Sequence, residues 1–129
     1  MKKIMLLATI FAVALFSVLA ACGGSPGSAA GQNYTVSMSG TTFNANSITI
    51  TKGSTITFTT DQGGTAHNLV NGTSGHANVE SGAPSFGSGG QTVGPGQSWK
   101  SSAWTTAGTF HVTCTYHPTT MNLTVTVNG

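Results

Sequence analysis

The sequence predicts an all-β protein, folded as an antiparallel Greek-key β-sandwich or barrel. Apolar and polar residues alternate with a period of two along most of the chain, and threonine fills many of the polar positions. Turn-forming residues interrupt the alternation at regular intervals, and no stretch has the pattern of a convincing helix. About seven short strands in fewer than roughly 100 residues are typical of such sandwiches and barrels.

Each predicted strand turns apolar residues to one face and threonines or serines to the other. In the first strand, Tyr34, Val36 and Met38 alternate with Thr35 and Ser37. By the same pattern, the remaining strands are predicted at about 48–51, 55–59, 66–70, 97–104, 109–114 and 121–127. Turns are predicted at 52–53, 61–64, 71–72, 94–96 and 107–108, where Gly, Pro, Asn and Asp are common.

Residues 72–90 do not alternate and are rich in small, turn-forming residues. They predict a surface loop that has room for a short helical turn. Loops of this length are uncommon and often functional, although a variable insertion without a function is an equal alternative. His76 within this loop is expected to be exposed, and a weak second metal contact through it stays open.

The first 21 residues predict a bacterial lipoprotein signal peptide. Lys2 and Lys3 precede an apolar core at 4–18, which is too short for a confident membrane span. The core ends in Leu-Ala-Ala-Cys, the lipoprotein cleavage box, so Cys22 would become a lipidated N-terminus. An ordinary secretory signal with a chance cysteine is the alternative. Residues 22–33 then form a flexible linker rich in Gly, Ser and Ala, and residues 34–129 form one domain.

The predicted domain carries almost no charge. Lys52 and Lys100 balance Asp61 and Glu80, and the formal net charge of +2 comes from the two lysines of the signal peptide. A neutral domain lacks the basic surface that binding to the phosphates of nucleic acid requires. We therefore expect neutral protein partners and no nucleic-acid partner. The protein is also expected to be a monomer.

Cys114 is the second of two cysteines in the chain. If lipid consumes the thiol of Cys22, Cys114 is a lone thiol outside the reducing cytoplasm, where an unprotected thiol oxidises. Strand parity places Cys114 on the inward face with Phe110 and Val112, while His111 and Thr113 face outward. The Cys114 thiol is therefore expected to be occupied by a ligand.

Three further side chains are predicted to converge on Cys114. His67 shares the inward side of its strand with Leu69, and Met121 begins the inward face of the last strand. His117 lies in the loop between the last two strands. Soft thiolate and thioether ligands select copper, and a His₂Cys plane with a weak axial methionine suits one-electron copper chemistry. Zinc also takes nitrogen and thiolate ligands and is the rival metal.

The chain resembles the type 1 (blue) copper proteins of the cupredoxin family, nearest to its plastocyanin and amicyanin group. The resemblance covers residues 34–128 and rests on these motifs: Phe43, Ile48, Ile50, Gly53, Ile56 and Phe58; His67-Asn68; Gly94-Pro95-Gly96; Trp104 with Gly108-Thr109-Phe110; and Cys114-Thr-Tyr-His117-Pro-Thr-Thr-Met121. It implies one copper ion with His67, Cys114 and His117 as equatorial ligands and Met121 as the weak axial ligand. It also implies that Asn68 ties the two ligand-bearing loops together by hydrogen bonds.

The ligand loop departs from that family pattern in two places. Three residues separate His117 from Met121, a spacing between those of the two nearest groups. Tyr116 stands where proline is common, so we expect its backbone N–H to donate to the Cys114 sulfur and raise the potential.

The sequence thus predicts a membrane-anchored blue copper electron-transfer protein that cycles between Cu(II) and Cu(I) and is not an enzyme. It would sit on the extracytoplasmic or periplasmic face of a bacterial membrane. The resemblance implies that the exposed edge of His117 is its electron port. Redox proteins, such as respiratory or photosynthetic membrane complexes, are the expected partners. The alternatives are a copper storage or delivery protein, a structural sandwich, and an enzyme with Cys114 as nucleophile and a histidine as base.

Overall fold

The computed structural model describes residues 31–129. The predicted signal peptide and Cys22 lie outside the described residues, as does most of the predicted linker at 22–33. No helix in the described part is long and apolar enough to cross a membrane. Residues 31–129 form ten β-strands: β1 (Asn33–Ser39), β2 (Thr42–Phe43), β3 (Ser47–Thr51), β4 (Thr55–Thr60), β5 (His67–Thr73), β6 (His76–Ala77), β7 (Gln91–Val93), β8 (Ser98–Lys100), β9 (Gly108–Cys114) and β10 (Asn122–Asn128).

The strands form two sheets. The first has the order β2-β1-β4-β8, and the second has the order β3-β10-β9-β5-β6, with β7 also paired to β5. The β1–β4 and β3–β10 pairs are parallel, and the other described pairs are antiparallel. The predicted all-β class is confirmed. Its sheets are mixed, a distinction that alternation cannot make because side chains alternate with period two in both kinds of pairing.

One apolar core lies between the two sheets. Val36, Met38 and Phe58 enter it from the first sheet, and Leu69 and Val125 enter it from the second. The threonines between these residues lie on the outer faces, partly or fully exposed, as the period-two pattern predicts.

The strand predicted at 97–104 is shorter than expected. β8 ends at Lys100, because the next residues bond through side chains rather than along a strand. The Ser101 hydroxyl accepts the N–H of Ile56 at 3.0 Å and the indole N–H of Trp104 at 3.1 Å. Trp104 is fully buried, and its backbone N–H donates to the Ser54 carbonyl at 2.8 Å. These bonds close one end of the sandwich.

The segment 72–90 is more than a surface loop. It contains β6. The structure describes the whole segment, and none of its residues form a helical turn. Phe86 is only 4% exposed, and its ring centroid lies 4.9 Å from that of Trp99 and 5.9 Å from that of Phe58. The loop therefore contributes an aromatic side chain to the core, while His76 is exposed, as predicted.

The strands give the sandwich two distinct ends. At one end, which we call the site end, β5 and β10 begin and β9 ends. The loop after β1 also lies at the site end, because the Gly40 carbonyl accepts the Thr65 hydroxyl at 2.9 Å. At the other end, which we call the tether end, β1 begins beside β4 with Asn33 opposite Thr55. The last residue of β10 lies at the tether end too, where the Asn128 carbonyl accepts the N–H of Lys52 at 2.8 Å.

Candidate metal centre

His67, Cys114 and His117 meet at the site end. Their ligand-type atoms all lie within 4.8 Å of one another. The Cys114 sulfur is 3.8 Å from Nδ1 of His67 and 3.6 Å from Nδ1 of His117, and the two imidazole centroids are 5.2 Å apart. His67 and Cys114 are fully buried, whereas His117 is partly exposed. Two nitrogens and one sulfur thus face a common point beneath the surface.

Strand register positions His67 and Cys114. Leu69 of β5 lies directly opposite Cys114, the last residue of β9. Because side chains alternate along β5, His67 points to the same side as Leu69, two residues nearer the end of the sheet. The register between β5 and β9 therefore brings together two residues that are 47 positions apart in the chain.

Backbone hydrogen bonds hold the loop that carries His117. Its N–H donates to the Cys114 carbonyl at 3.3 Å, and its carbonyl accepts the Met121 N–H at 3.0 Å. The Cys114 N–H donates to the Met121 carbonyl at 3.1 Å. Met121 is fully buried and immediately precedes β10. These bonds fix the backbone of all three residues at the same end of the sheet.

Thr113 is more buried than its position in the strand predicts. The alternation places it on the outward face with His111, yet Thr113 is fully buried. Its hydroxyl donates to the Met121 carbonyl at 2.9 Å and accepts the Gly75 N–H at 2.9 Å. The turn between β5 and β6 covers this position, so Thr113 joins that turn to the ligand loop.

Asn68 links β5 to the ligand loop. Its side-chain amide donates to the Thr115 hydroxyl at 3.1 Å and to the Gly89 carbonyl at 3.0 Å, and its backbone carbonyl accepts the Thr115 N–H at 2.9 Å. The hydrogen bonds of residues 31–129 do not include the expected one from the Tyr116 amide to the Cys114 sulfur. The structure therefore lends that expectation no support.

The electrostatics of His67 favour a metal ligand. Burial of its ring, followed by the Coulombic effect of His117, lowers the pKa of His67 below the ordinary value of 6.5. A neutral imidazole is the form that binds metal, so this shift keeps His67 ready for a cation. Its Nε2 is buried and, within the described residues, has no hydrogen-bond partner.

The donor spacing fits one metal ion. With metal–nitrogen bonds of about 2.0–2.1 Å and a metal–sulfur bond of about 2.3 Å, tetrahedral to trigonal angles separate nitrogen from sulfur by roughly 3.6–3.8 Å. The two nitrogen–sulfur distances, 3.6 and 3.8 Å, match this range. A thiolate and two imidazoles suit copper or zinc, and a neighbouring thioether favours copper.

Sequence reasoning missed one polar contact close to this site. Both carboxylate oxygens of Glu80 engage His111 on the outer face of β9, one at the backbone N–H and one at the ring. No local sequence pattern predicts the pairing of Glu80 with His111, which are 31 residues apart. The scarcity of charge was the available signal, since Glu80 is one of only two carboxylate side chains in the chain.

The comparisons with known proteins agree with this geometry. The model for the copper binding proteins of the plastocyanin/azurin family matches residues 29–128. A search of curated proteins found no match. Among solved structures, amicyanin from Paracoccus versutus (Thiobacillus versutus) is similar, with a TM-score of 0.56 and 18% identity over 74% of this chain and 81% of that one. The reduced state of an amicyanin mutant gives a TM-score of 0.56 and 20% identity over 74% of this chain and 82% of that one. At these identities the similarity supports the fold.

Proposed function

Because this chain belongs to the plastocyanin/azurin family of copper-binding proteins, we propose that it is a one-electron carrier whose copper is held by His67, Cys114, His117 and Met121. The convergence of two Nδ1 atoms on one buried sulfur at 3.6 and 3.8 Å carries this proposal. Bound copper supplies reversible one-electron chemistry between Cu(II) and Cu(I). The protein transfers electrons and is not an enzyme.

The protein's contribution is a ligand set that moves little. Cys114, His117 and Met121 lie on one short loop, and three backbone hydrogen bonds join these three residues to one another. Asn68 and Thr113 tie this loop to β5 and to the turn that follows β5. A site held in this way keeps its donor atoms in nearly the same positions in both oxidation states, so electron transfer needs little reorganisation.

His117 provides the route to the surface. Of the three clustered ligands only His117 is partly exposed, since His67 and Cys114 are fully buried. Its neighbours Tyr116 and Pro118 are exposed, and Tyr116 has 57% of its surface accessible. We infer that a redox partner docks over this neutral patch and exchanges electrons through the exposed edge of the His117 ring.

We further propose that the protein is exported and lipid-anchored through Cys22. The cleavage box in the sequence supports this anchoring, and membership of the family supports an extracytoplasmic location. The partners would then be redox proteins of the cell envelope, including extramembrane parts of respiratory or photosynthetic complexes. A monomer with a near-neutral domain would dock with little dependence on ionic strength.

The nucleophilic-enzyme alternative finds little support in the structure. A cysteine nucleophile needs access to substrate and an oriented base, but Cys114 is fully buried. Glu80 bonds to His111, and Asp61 is exposed in the turn after β4, so the carboxylates of the described residues leave the two site histidines without an acidic partner. Copper storage or delivery uses the same ligands and remains the competing function.

Spectroscopy of the copper-loaded protein tests the site. Intense visible absorption from thiolate-to-copper charge transfer, together with an EPR signal of narrow hyperfine splitting, is expected. Both should vanish in Cys114→Ala and persist in His76→Ala, the matched control for an exposed histidine of the same chain. A protein that binds no copper and stays colourless would refute the proposal. Reversible voltammetry and reduction by a partner protein distinguish a carrier from a storage protein.

A further inference from the structure

The described chain enters the domain at a fixed point of the tether end. The Gln32 N–H donates to the Ser54 hydroxyl at 3.0 Å, and the Gln32 carbonyl accepts the Thr55 N–H at 2.8 Å. Gly31 packs directly on the turn before β4: a Cβ on Gly31 would lie 1.8 Å from the Gly53 carbonyl oxygen, so a larger residue does not fit. The position of chain entry is therefore set by the fold.

The metal ligands occupy the opposite end of the sandwich. β10 runs from Asn122, next to Met121, to Asn128 at the tether end. Its seven residues span about 20 Å at roughly 3.3 Å per residue step. The ligand loop extends the domain further beyond Asn122. The point where the chain enters the domain, at Gln32, is thus separated from the electron port, at His117, by at least the length of the sheet.

We propose that the anchored protein presents its copper away from the bilayer and docks a water-exposed redox domain rather than a site in the membrane plane. This inference rests on the proposed lipidation of Cys22. Ten residue steps join Cys22 to Gln32 and reach at most about 36 Å. Turning the copper toward the lipid would require the linker to run back past about 20 Å of sheet and the ligand loop. Few linker conformations achieve that, so chain entropy opposes the inverted orientation.

The charges point the same way. Lys52, which is exposed, lies at the tether end. In the proposed orientation it would face the headgroups of an anionic membrane. Asp61, also exposed, follows β4 on the way to His67 at the site end. A cation at one end and an anion at the other favour the same orientation over a negatively charged bilayer. The partner that this arrangement fits is a redox domain that stands clear of the lipid.

Site-specific labels test the orientation. The lipidated, copper-loaded protein is placed in vesicles of phosphatidylcholine and phosphatidylglycerol that carry nitroxide-labelled headgroups. A fluorophore is attached in Asn128→Cys, which leaves Lys52 in place at the tether end, or in Thr119→Cys, the matched exposed position at the site end. We expect severalfold stronger quenching by the headgroups at position 128 than at position 119. Equal quenching or the reverse order, with the lipid present on Cys22, overturns this inference alone.

The Cys22→Ser variant separates the two proposals. It should stay in solution, coloured by copper and unquenched at both positions. If mass spectrometry finds no lipid on Cys22 of the wild-type protein and that protein does not bind vesicles, the anchoring proposal and this inference fail together. The copper proposal is judged independently by the visible absorption of the same samples.

Electron transfer tests the kind of partner. Ferrocyanide in solution and a ferrocene-headed lipid in the bilayer each give one electron from Fe(II) to Cu(II), which yields Fe(III) and Cu(I) without a proton. We expect the anchored protein to react severalfold more slowly with the lipid probe than with ferrocyanide. Inserting ten Gly and Ser residues before Gly31 should raise the rate with the lipid probe alone. Efficient reduction by the lipid probe at the natural linker length would overturn the inference.

Discussion

Glu80 holds His111 with both of its carboxylate oxygens. Oε2 accepts the His111 backbone N–H at 2.6 Å, and Oε1 lies 2.7 Å from Nδ1 of the His111 ring. Glu80 lies in the loop between β6 and β7, and His111 is three residues before Cys114 on β9. The pair thus fastens the start of that loop to the strand that supplies the thiolate.

Replacing Glu80 should therefore weaken the fold. In Glu80→Ala the half-buried N–H of His111 on β9 loses a charged acceptor, and we expect the free energy of unfolding to fall by about 1.5–3 kcal/mol. Glu80→Gln keeps an acceptor oxygen for the N–H and should lose less. Urea denaturation of both variants measures the difference. Equal losses in the two variants would show that the backbone contact contributes nothing.

The packing of Phe86 gives a second prediction. Because its ring is buried against Trp99 and Phe58, Phe86→Ala leaves a cavity, and we expect a loss of about 3–5 kcal/mol in the free energy of unfolding. Val79 in the same loop is 95% exposed, so Val79→Ala should change stability by less than about 0.5 kcal/mol. Similar denaturation midpoints for both variants would contradict the described position of Phe86.

The Asn68 side chain should increase the affinity of the site for copper. Removing its amide in Asn68→Ala frees the Thr115 hydroxyl from β5, and we expect copper affinity to fall by about 10- to 100-fold while the visible band persists. Competition with a chelator measures the affinity. Thr92→Val is the control, because it removes only a 3.4 Å hydrogen bond to Asn68 Oδ1 and should retain copper almost normally.

The copper-free protein should lose stability as the pH falls. The pKa of His67 is lowered in the folded state, chiefly by burial, so below pH 6.5 the unfolded chain takes up a proton more readily than the folded protein. Stability therefore falls as pH decreases from the ordinary histidine pKa to the lowered one, and then levels off for this group. Thermal unfolding between pH 8 and 5 measures this slope, with the range set about the ordinary histidine pKa. His67→Gln should flatten it; an unchanged slope would assign the effect to other groups.

Local sequence was sufficient to predict much of this protein. Side-chain alternation located most strands, because burial on one face of a sheet repeats every second residue. The short offsets among Cys114, His117 and Met121 placed three donors on one loop, since the covalent chain itself keeps them near each other. Their chemistry pointed to copper before any fold was known.

Contacts between distant residues required the tertiary structure. The β5–β9 register brings His67 to Cys114 across 47 positions, and only packing reveals that Thr113 is buried beneath a turn. The partnership of Glu80 with His111, the insertion of Phe86 into the core and the parallel pairings likewise depend on long-range geometry. Alternation records which face a residue occupies but not which strand lies beside it. For that reason the sequence predicted the ligands, whereas the fold decided that they lie at the end opposite to chain entry.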